Sequence, residues 1–355
     1  MELTDEEKRL YHRQLLLPGF EEKHQVRLKQ AHVMVIGLGG LGNPVSQYLA
    51  AAGVGKLTLI DFDVIEASNL HRQLLFGMSD CGKSKSQTAA QILQQQYPGL
   101  EVLSLDLRVQ KESISTMLAD VDLIADCTDN FEARYAIDSA AKQANTPIMF
   151  GAIHRSEGVL SLFHASAQIG YCDLYPHVPA EGRIASCAED GIMGPIAGIV
   201  GSMMAQGILE FLAFGRCSLD GKMARVDASN FSIYQFQLQT THPISDATGS
   251  IKGIGAAELQ RMLSQKSPLI LIDVRQPHEH SEFNIGGSCL PAYEVKDWGH
   301  SIQDDCAILL YCDHGHQSYI AARYLNMMRP ELHIMHLQGG LQELKEVQSN
   351  IRLKA

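Results

Sequence analysis

The chain has 355 residues, room for two domains and a sizeable core. Its 29 Lys and Arg stand against 40 Asp and Glu, a net charge of −11, which argues against nucleic acid as a main partner. No apolar run reads as a membrane span, and Met1-Glu-Leu-Thr-Asp-Glu-Glu-Lys8 does not read as a signal peptide, so the expected location is the cytoplasm.

Residues 2–29 read as helical and charged, with Arg13 inside Tyr11-His-Arg-Gln-Leu-Leu-Leu17; alone, Arg13 reads as a solvated charge. Next comes the stretch around which the chain is organised, Val33-Met-Val-Ile-Gly-Leu-Gly-Gly-Leu-Gly42. A β-rich apolar run empties into Gly37, Gly39, Gly40 and Gly42, a helix-like segment follows from Pro44, and a second run, Lys56-Leu-Thr-Leu-Ile60, ends in Asp61. Strand, glycine turn, helix, strand and acid make a nucleotide-binding unit: glycines admit the backbone to phosphates, and the carboxylate accepts ribose hydroxyls. That pattern does not separate NAD from ATP. Apolar runs at 33–36, 57–60, 123–127 and 147–153 alternate with helical segments, which predicts a parallel sheet covered on both faces. Asp129 and Asn130 follow Leu123-Ile-Ala-Asp-Cys-Thr128, beyond a strand's carboxyl end, where ligands sit in open α/β sheets.

From residue 158 the pattern changes. Residues 159–164 read as a strand in a different setting, and 168–190 as a loop with Pro176, Pro179, Gly182 and Cys187. Residues 192–212 read as a small-residue helix and 223–238 as one strand-like run. Residues 239–252 are polar and turn-forming and predict a linker, which places domains at 1–238 and 253–355. The second domain repeats the α/β alternation, with strands at 269–274, 307–312 and 333–337.

The eight cysteines include no Cys-x-x-Cys, so they form neither a disulfide framework nor a cysteine-only zinc site. Two stand apart. Cys312 ends a strand and enters a helix-like segment, where loop N–H groups and a helix N-terminus favour the thiolate. Cys187 lies among polar residues, which favours an accessible thiol over a core one.

Around the first unit gather Asp61-Phe-Asp63, Ser68-Asn-Leu-His-Arg72-Gln73, Lys85 and Asp129-Asn130. Taken singly, each reads as surface charge or a structural carboxylate. Taken together, and with Arg13, the cations and the strand-end acid suit phosphate and Mg²⁺ better than a nicotinamide ring. Lys and Arg neutralise charge developing on a phosphoryl group, and a carboxylate can hold the metal.

With Arg13-Gln14, Gly37-Leu-Gly-Gly-Leu-Gly42 and Asp126-Cys-Thr-Asp-Asn130, these residues resemble the MoeB/ThiF family of ubiquitin-activating-like adenylyltransferases over about residues 9–238. Ser186-Cys-Ala-Glu-Asp-Gly191 with Gly194-Pro195 resembles that family's catalytic-cysteine segment. The C-terminal part resembles a rhodanese domain through Asp273-Val-Arg275, the stretch from Glu279 to Pro291, and Cys312-x-x-Gly315-x-x-Ser318. The resemblance implies a Rossmann-like nucleotide-binding domain followed by a small α/β rhodanese domain. It implies that the C-terminal glycine of a small ubiquitin-like sulfur-carrier protein, ending in Gly-Gly, attacks the α-phosphate of ATP to give an acyl-adenylate. Gly40, Asp61, Ser68, Asn69, Arg72, Lys85 and Asn130 would bind ATP, and Asp129 would hold Mg²⁺. Arg13 would reach the nucleotide of the opposite subunit, which implies a homodimer. Sulfur would come from a persulfide on Cys312, charged by a cysteine desulfurase or thiosulfate, and Cys187 would relay the acyl group or form a transient disulfide.

The sequence departs from the family in two places. Many members hold zinc with two Cys-x-x-Cys pairs; here the first pair's positions are Gly170 and Asp173, and the second falls near Ser245 and Thr248, so no zinc is expected and packing must hold that knob. The rhodanese loop reads Cys312-Asp-His-Gly-His-Gln-Ser, with Asp313 and Gln317 where arginines are usual, and Leu344 replaces a late tryptophan. Asp313, read as a solvated and screened carboxylate, opposes the thiolate, while His314 or His316 could favour it. On that reading arginine at 313 speeds persulfide formation. Two alternatives stay open: the rhodanese half could be a non-catalytic docking module, or the chain an NAD-dependent oxidoreductase, which leaves Arg13, Arg72, Lys85 and Asp129 without a task.

Overall fold

The computed structural model describes residues 2–175, 191–238, 251–264, 268–302, 306–313 and 315–345. Cys187 lies outside them, as do Pro176, Pro179, Gly182, Ser245, Thr248, His314 and most of the expected linker. The chain divides into two units, each with its own sheet.

The N-terminal segment breaks into three helices. α1 (Asp5–Leu10) opens on a capping box between Thr4 and Glu7, α2 (His12–Leu15) is one turn, and Pro18 with Gly19 (φ +82°) interrupts the chain before α3 (Glu22–Gln30). β1 (His32–Ile36), α4 (Gly42–Ala51) and β2 (Lys56–Ile60) form the strand–helix–strand unit read from the sequence. The alternation continues through α5 (Lys85–Gln96), β3 (Glu101–Leu105), α6 (Lys111–Ser115), β4 (Leu123–Asp126), α7 (Phe131–Ala144) and β5 (Ile148–His154). Then follow β6 (Glu157–Phe163), the short α8 (Tyr171–Leu174), α9 (Gly194–Phe214), β7 (Lys222–Asp227) and β8 (Ser232–Gln237).

The sheet order is β3-β2-β1-β4-β5-β6-β7-β8. Its first five strands are parallel, and β6, β7 and β8 extend it antiparallel, which is the changed setting after residue 158. β1 and β4 are buried along their whole length, as apolar strands covered on both faces must be. β3 escaped the sequence reading because it is the edge: Glu101 and Leu103 are exposed and its apolar pattern is diluted. The run at 223–238 is two strands. Asp227 accepts hydrogen bonds from Ser229 N at 2.9 Å and Asn230 Nδ2 at 3.0 Å, and Phe231 takes φ +58°, which together reverse the chain.

The small residues of α9 admit a close neighbour: a Cβ on Gly201 would stand 2.4 Å from Pro44 Cγ of α4. This helix also corrects the reading that no run matches a membrane span. It has 21 residues and an 18-residue window of mean hydropathy 1.6, which meets that length and composition, because a helix packed on several sides is as apolar as one in lipid. Ile196, Ala197, Val200, Met204 and Ile208 are buried in the unit's core.

The second unit comprises β9 (Lys252–Ile254), α10 (Ala256–Ser264), β10 (Leu269–Asp273), α11 (Pro277–Glu282), β11 (Ser288–Cys289), α12 (Val295–Trp298), β12 (Ala307–Tyr311), α13 (His316–Met328) and β13 (Ile334–Leu337). Its strands lie in the order β11-β10-β12-β13-β9, all parallel. β9 and β11 have three and two residues, too few for a periodic signal. Trp298 is buried in the core on one face and Leu344, in the tryptophan's usual place, in the core on the other.

Candidate active sites

The register brings the first site together. Ile36 pairs with both Ile60 and Asp126, so the glycine turn, Asp61 and residues 127–130 leave the sheet at one level. The strand order reverses between β1 and β4, and ligands bind at such switch points. Gly37 takes φ +87°, and a Cβ there would meet Cys127 O at 2.8 Å; one on Gly42 would stand 1.9 Å from Gly37 O. Glycine is required at both positions. At Gly40 a Cβ would lie 3.5 Å from Arg72 Cδ, so the turn faces the stem of that arginine.

Asp61 is 8% exposed and fastens the turn: Oδ2 accepts from Leu38 N at 2.7 Å, and Oδ1 from Asp63 N at 2.8 Å. Burial raises its pKa, with Lys85 and the two N–H groups opposing. Lys85, in the first turn of α5, is buried and places Nζ 3.0 Å from Asp63 Oδ2. Arg72 Nη1 donates to Ser68 O at 3.1 Å, Ser68 Oγ to Glu66 Oε2 at 3.1 Å, and Asn69 Oδ1 accepts from Glu66 N at 3.2 Å. Asp129 and Asn130 are exposed, and Asn130 caps α7 by accepting from Ala133 N at 2.9 Å. Arg13 is exposed on α2, beside Gln14, which is anchored to Gln25 at 2.8 Å.

Three further polar groups lie at this edge. Buried Asp126 accepts from Thr128 N at 3.0 Å and Thr128 Oγ1 at 2.7 Å, while Arg134 Nη2 donates to Thr128 O at 2.8 Å. Asp106, past the end of β3, accepts from Ser84 Oγ, Ser86 Oγ and Gln87 Nε2, and the hydroxyl from Ser84 is the largest cause of its lowered pKa. The sequence reading passed over Arg134 and Asp106. Arg134 could have been found one helical turn after Asn130; Asp106 carried no signal because its strand went unread.

The first of the two expected ligand pairs, at Gly170 and Asp173, sits in a segment fastened by polar groups as well as packing, which amends the expectation there. Asp138 and His164 are both buried, 2.8 Å apart, and Asp138 also accepts from Tyr171 N at 2.6 Å and Cys172 N at 3.2 Å. Gly170 N donates to Asp173 Oδ2 at 2.8 Å, and Tyr135, Phe150 and Tyr175 pack around Tyr171. Burial, and then the Asp138 carboxylate beside it, raise the Cys172 thiol to about 12.

In the second unit β12 ends at Tyr311 and delivers Cys312 to the mouth of α13. Gly315 takes φ +80°, and Ser318 N lies 3.4 Å from Cys312 Sγ, so a first-turn N–H of α13 points at the sulfur. Cys312 is 2% exposed, and its thiol reaches Ser318 Oγ at 3.6 Å. Leu341 N donates to Cys312 O at 2.9 Å and Gln342 N to Asp313 O at 3.0 Å, closing the glycine pair 339–340 onto the loop. Asp313, its side chain 30% exposed, is paired as well as partly solvated. Its Oδ1 accepts from Arg275 Nη1 at 2.9 Å, and Arg275 also grips Asp273 at 2.7 Å. Thirty-eight residues separate Arg275 from Asp313, which is why the sequence hid the pair.

Residues 11–247 match the ThiF family and 255–346 a rhodanese-like domain. A probable adenylyltransferase/sulfurtransferase MoeZ of Mycobacterium tuberculosis is 36% identical over 366 residues, covering 96% of this chain and 93% of that protein. A sulfur carrier protein adenylyltransferase of Thermus thermophilus is 40% identical over 233 residues, 64% of this chain and 86% of that one. Among solved structures, E. coli MccB shares the fold, with a TM-score of 0.58 at 21% identity over 66% of this chain and 71% of that one. The chain therefore belongs to the ThiF family, with a rhodanese-like domain following its nucleotide-binding unit.

Proposed function

We propose that this protein uses ATP to adenylylate the C-terminal glycine of a small ubiquitin-like sulfur-carrier protein and then converts that end to a thiocarboxylate with sulfur carried on Cys312. The observation that carries the reading is the cluster at the switch point: a glycine turn fastened by Asp61, with Arg72 beside Gly40 and Lys85 held by Asp63. The relatives' names, a sulfur carrier adenylyltransferase and an adenylyltransferase/sulfurtransferase, point the same way.

ATP would lie with its phosphates over the glycine turn and its ribose at Asp61, contacted by Ser68, Asn69 and Asn130. The carrier's glycine carboxylate attacks the α-phosphorus, the bond to the β-phosphate breaks, and pyrophosphate leaves. Arg72 and Lys85 supply the cations that stabilise the phosphoryl charge. Asp129 is an exposed hard-oxygen donor at this edge, which fits Mg²⁺ shared with substrate phosphates; when bound, that ion would neutralise phosphate charge. Arg13 belongs to the second copy's site. It is flanked by Leu10, Leu16 and Leu17, which are 63%, 59% and 57% exposed, an apolar face fit to be covered in a homodimer.

Sulfur arrives when the Cys312 thiolate attacks the outer sulfur of a desulfurase persulfide or of thiosulfate and releases a thiol or sulfite. The resulting persulfide attacks the acyl-adenylate carbonyl, and AMP leaves. The acyl disulfide so formed is opened by a thiol that attacks the sulfur of Cys312, which leaves a disulfide and frees the thiocarboxylate; Cys187 would supply that thiol or relay the acyl group. The burial of Cys312, 2% exposed, favours one second reading, in which the rhodanese-like domain only docks a partner.

The test is ATP–pyrophosphate exchange with a Gly-Gly-ended carrier, followed by mass spectrometry of the carrier. Exchange should need both carrier and Mg²⁺, and Asp129→Ala should lower it roughly a hundredfold. Cys312→Ala should abolish the thiocarboxylate and leave exchange intact. Near-normal exchange by Asp129→Ala overturns the adenylylation site; wild-type sulfur transfer by Cys312→Ala leaves only the docking role.

A further inference from the structure

Arg275 is the hub of the second unit's charged network. Its side chain is 5% exposed, and its Nη2 donates to Asp273 at 2.7 Å and to Phe283 O at 2.6 Å. Its Nε bonds the same Asp273 carboxylate at 3.0 Å, and His280 Nδ1 lies 2.9 Å from it. Asp273 is fully buried at the end of β10, so these contacts fix the guanidinium to the sheet. One nitrogen, Nη1, is left to point toward the nucleophile loop, and it meets Asp313 Oδ1 at 2.9 Å.

Asp313 directly follows Cys312. Its carbonyl accepts from Gln342 N at 3.0 Å, while its side chain is drawn to Arg275. The residue is held from two sides, by backbone and by carboxylate. Downstream, Ser318 N must remain 3.4 Å from Cys312 Sγ for the helix N–H to support the thiolate. A residue free to turn at the first position after the nucleophile would let the sulfur leave that N–H.

Resting on the reading of Cys312 as a persulfide carrier, we propose that Asp313 is a positioning residue that orients Cys312 by anchoring the loop to Arg275. The anionic side chain beside the nucleophile is thus part of the site's construction. Its carboxylate shares the one guanidinium with that of Asp273. This reverses the expectation for arginine at 313: a second guanidinium would be placed against Arg275 and push the loop away.

The experiment uses the full chain with Asp313→Asn, Asp313→Ala and Asp313→Arg. Persulfide loading is measured with cysteine hydropersulfide and with thiosulfate, and Cys312 alkylation by iodoacetamide is measured against a Cys312→Ser blank. Trp298, the chain's one tryptophan, is buried in the second unit and bonded to Pro291 O at 3.0 Å, so its emission reports that unit's fold. Asn keeps an acceptor for Arg275 and should hold kcat for loading within about threefold of wild type. Ala and Arg should lower kcat about tenfold or more with both donors, on the scale of a misplaced reacting atom. The Asn–Arg comparison decides wherever Ala alters the Trp298 emission. Loading by Asp313→Arg faster than wild type, or kcat of Asp313→Ala within threefold of it, overturns the proposal. If wild type accepts sulfur from neither donor, the persulfide reading itself fails. The alkylation rates then decide the positioning role alone: equal rates in all variants overturn it.

Discussion

Asp138→Ala tests whether a buried polar clip holds the first unit where the zinc ligands are missing. Asp138 accepts hydrogen bonds from His164 Nε2 at 2.8 Å, Tyr171 N at 2.6 Å and Cys172 N at 3.2 Å, and from the Cys172 thiol. Removing the carboxylate strands these donors. Cys172 is half-buried and can recruit water, but His164 and Tyr171 are 4% exposed. At about 1–3 kcal/mol for each buried donor left unmet, the expected loss is about 3–5 kcal/mol. For a unit of this size that corresponds to roughly 10 °C in melting temperature. Far-UV circular dichroism follows the whole chain while Trp298 emission follows the second unit, so the loss should appear in the first signal and spare the second. Asp138→Asn keeps an acceptor and should lose about half as much. Burial raises the Asp138 pKa, but the bonds from His164 and from the thiol and N–H of Cys172 outweigh it, and the net value is lowered. A lowered carboxylate contributes its stability above the unfolded pKa and loses it as pH falls through the folded one, so wild type and Asp138→Ala should converge in strong acid. Chelators should leave the melting temperature unchanged, and purified protein should hold substoichiometric zinc. A variant melting within about 2 °C of wild type, or one tight zinc per chain, refutes the reasoning.

At Gly42 an added Cβ would sit 1.9 Å from the Gly37 carbonyl oxygen. Gly42→Ala must therefore open the turn, and calorimetric ATP affinity should fall about tenfold or more; a Kd within twofold of wild type would show that the nucleotide does not use this turn. If Arg13 acts across a homodimer, mixing Arg13→Ala with Asp129→Ala chains rebuilds one complete site per mixed dimer. Pyrophosphate exchange should then recover to about a quarter of wild type, whereas no recovery places both residues in one subunit's site.

Local order was enough for much of this protein. The glycine turn, the acid ending β2 and the alternating apolar runs are each written within a few neighbouring residues, and the backbone rules that read them act over the same range. Gly37 and Gly42 need to be glycine because of one tight turn. The edge strand β3 and the hairpin in 223–238 were harder, since half-exposed strands dilute the apolar pattern. What only the tertiary structure decided are the polar pairs between distant segments: Asp138 with His164, 26 residues apart, and Arg275 with Asp313, 38 apart. A charged residue carries no mark of its partner, because its cost or benefit depends on burial, and burial is set by packing of the whole unit. That is why Asp313, read from its neighbours, opposed the nucleophile beside it. Placed against Arg275, it holds that nucleophile's loop to the sheet.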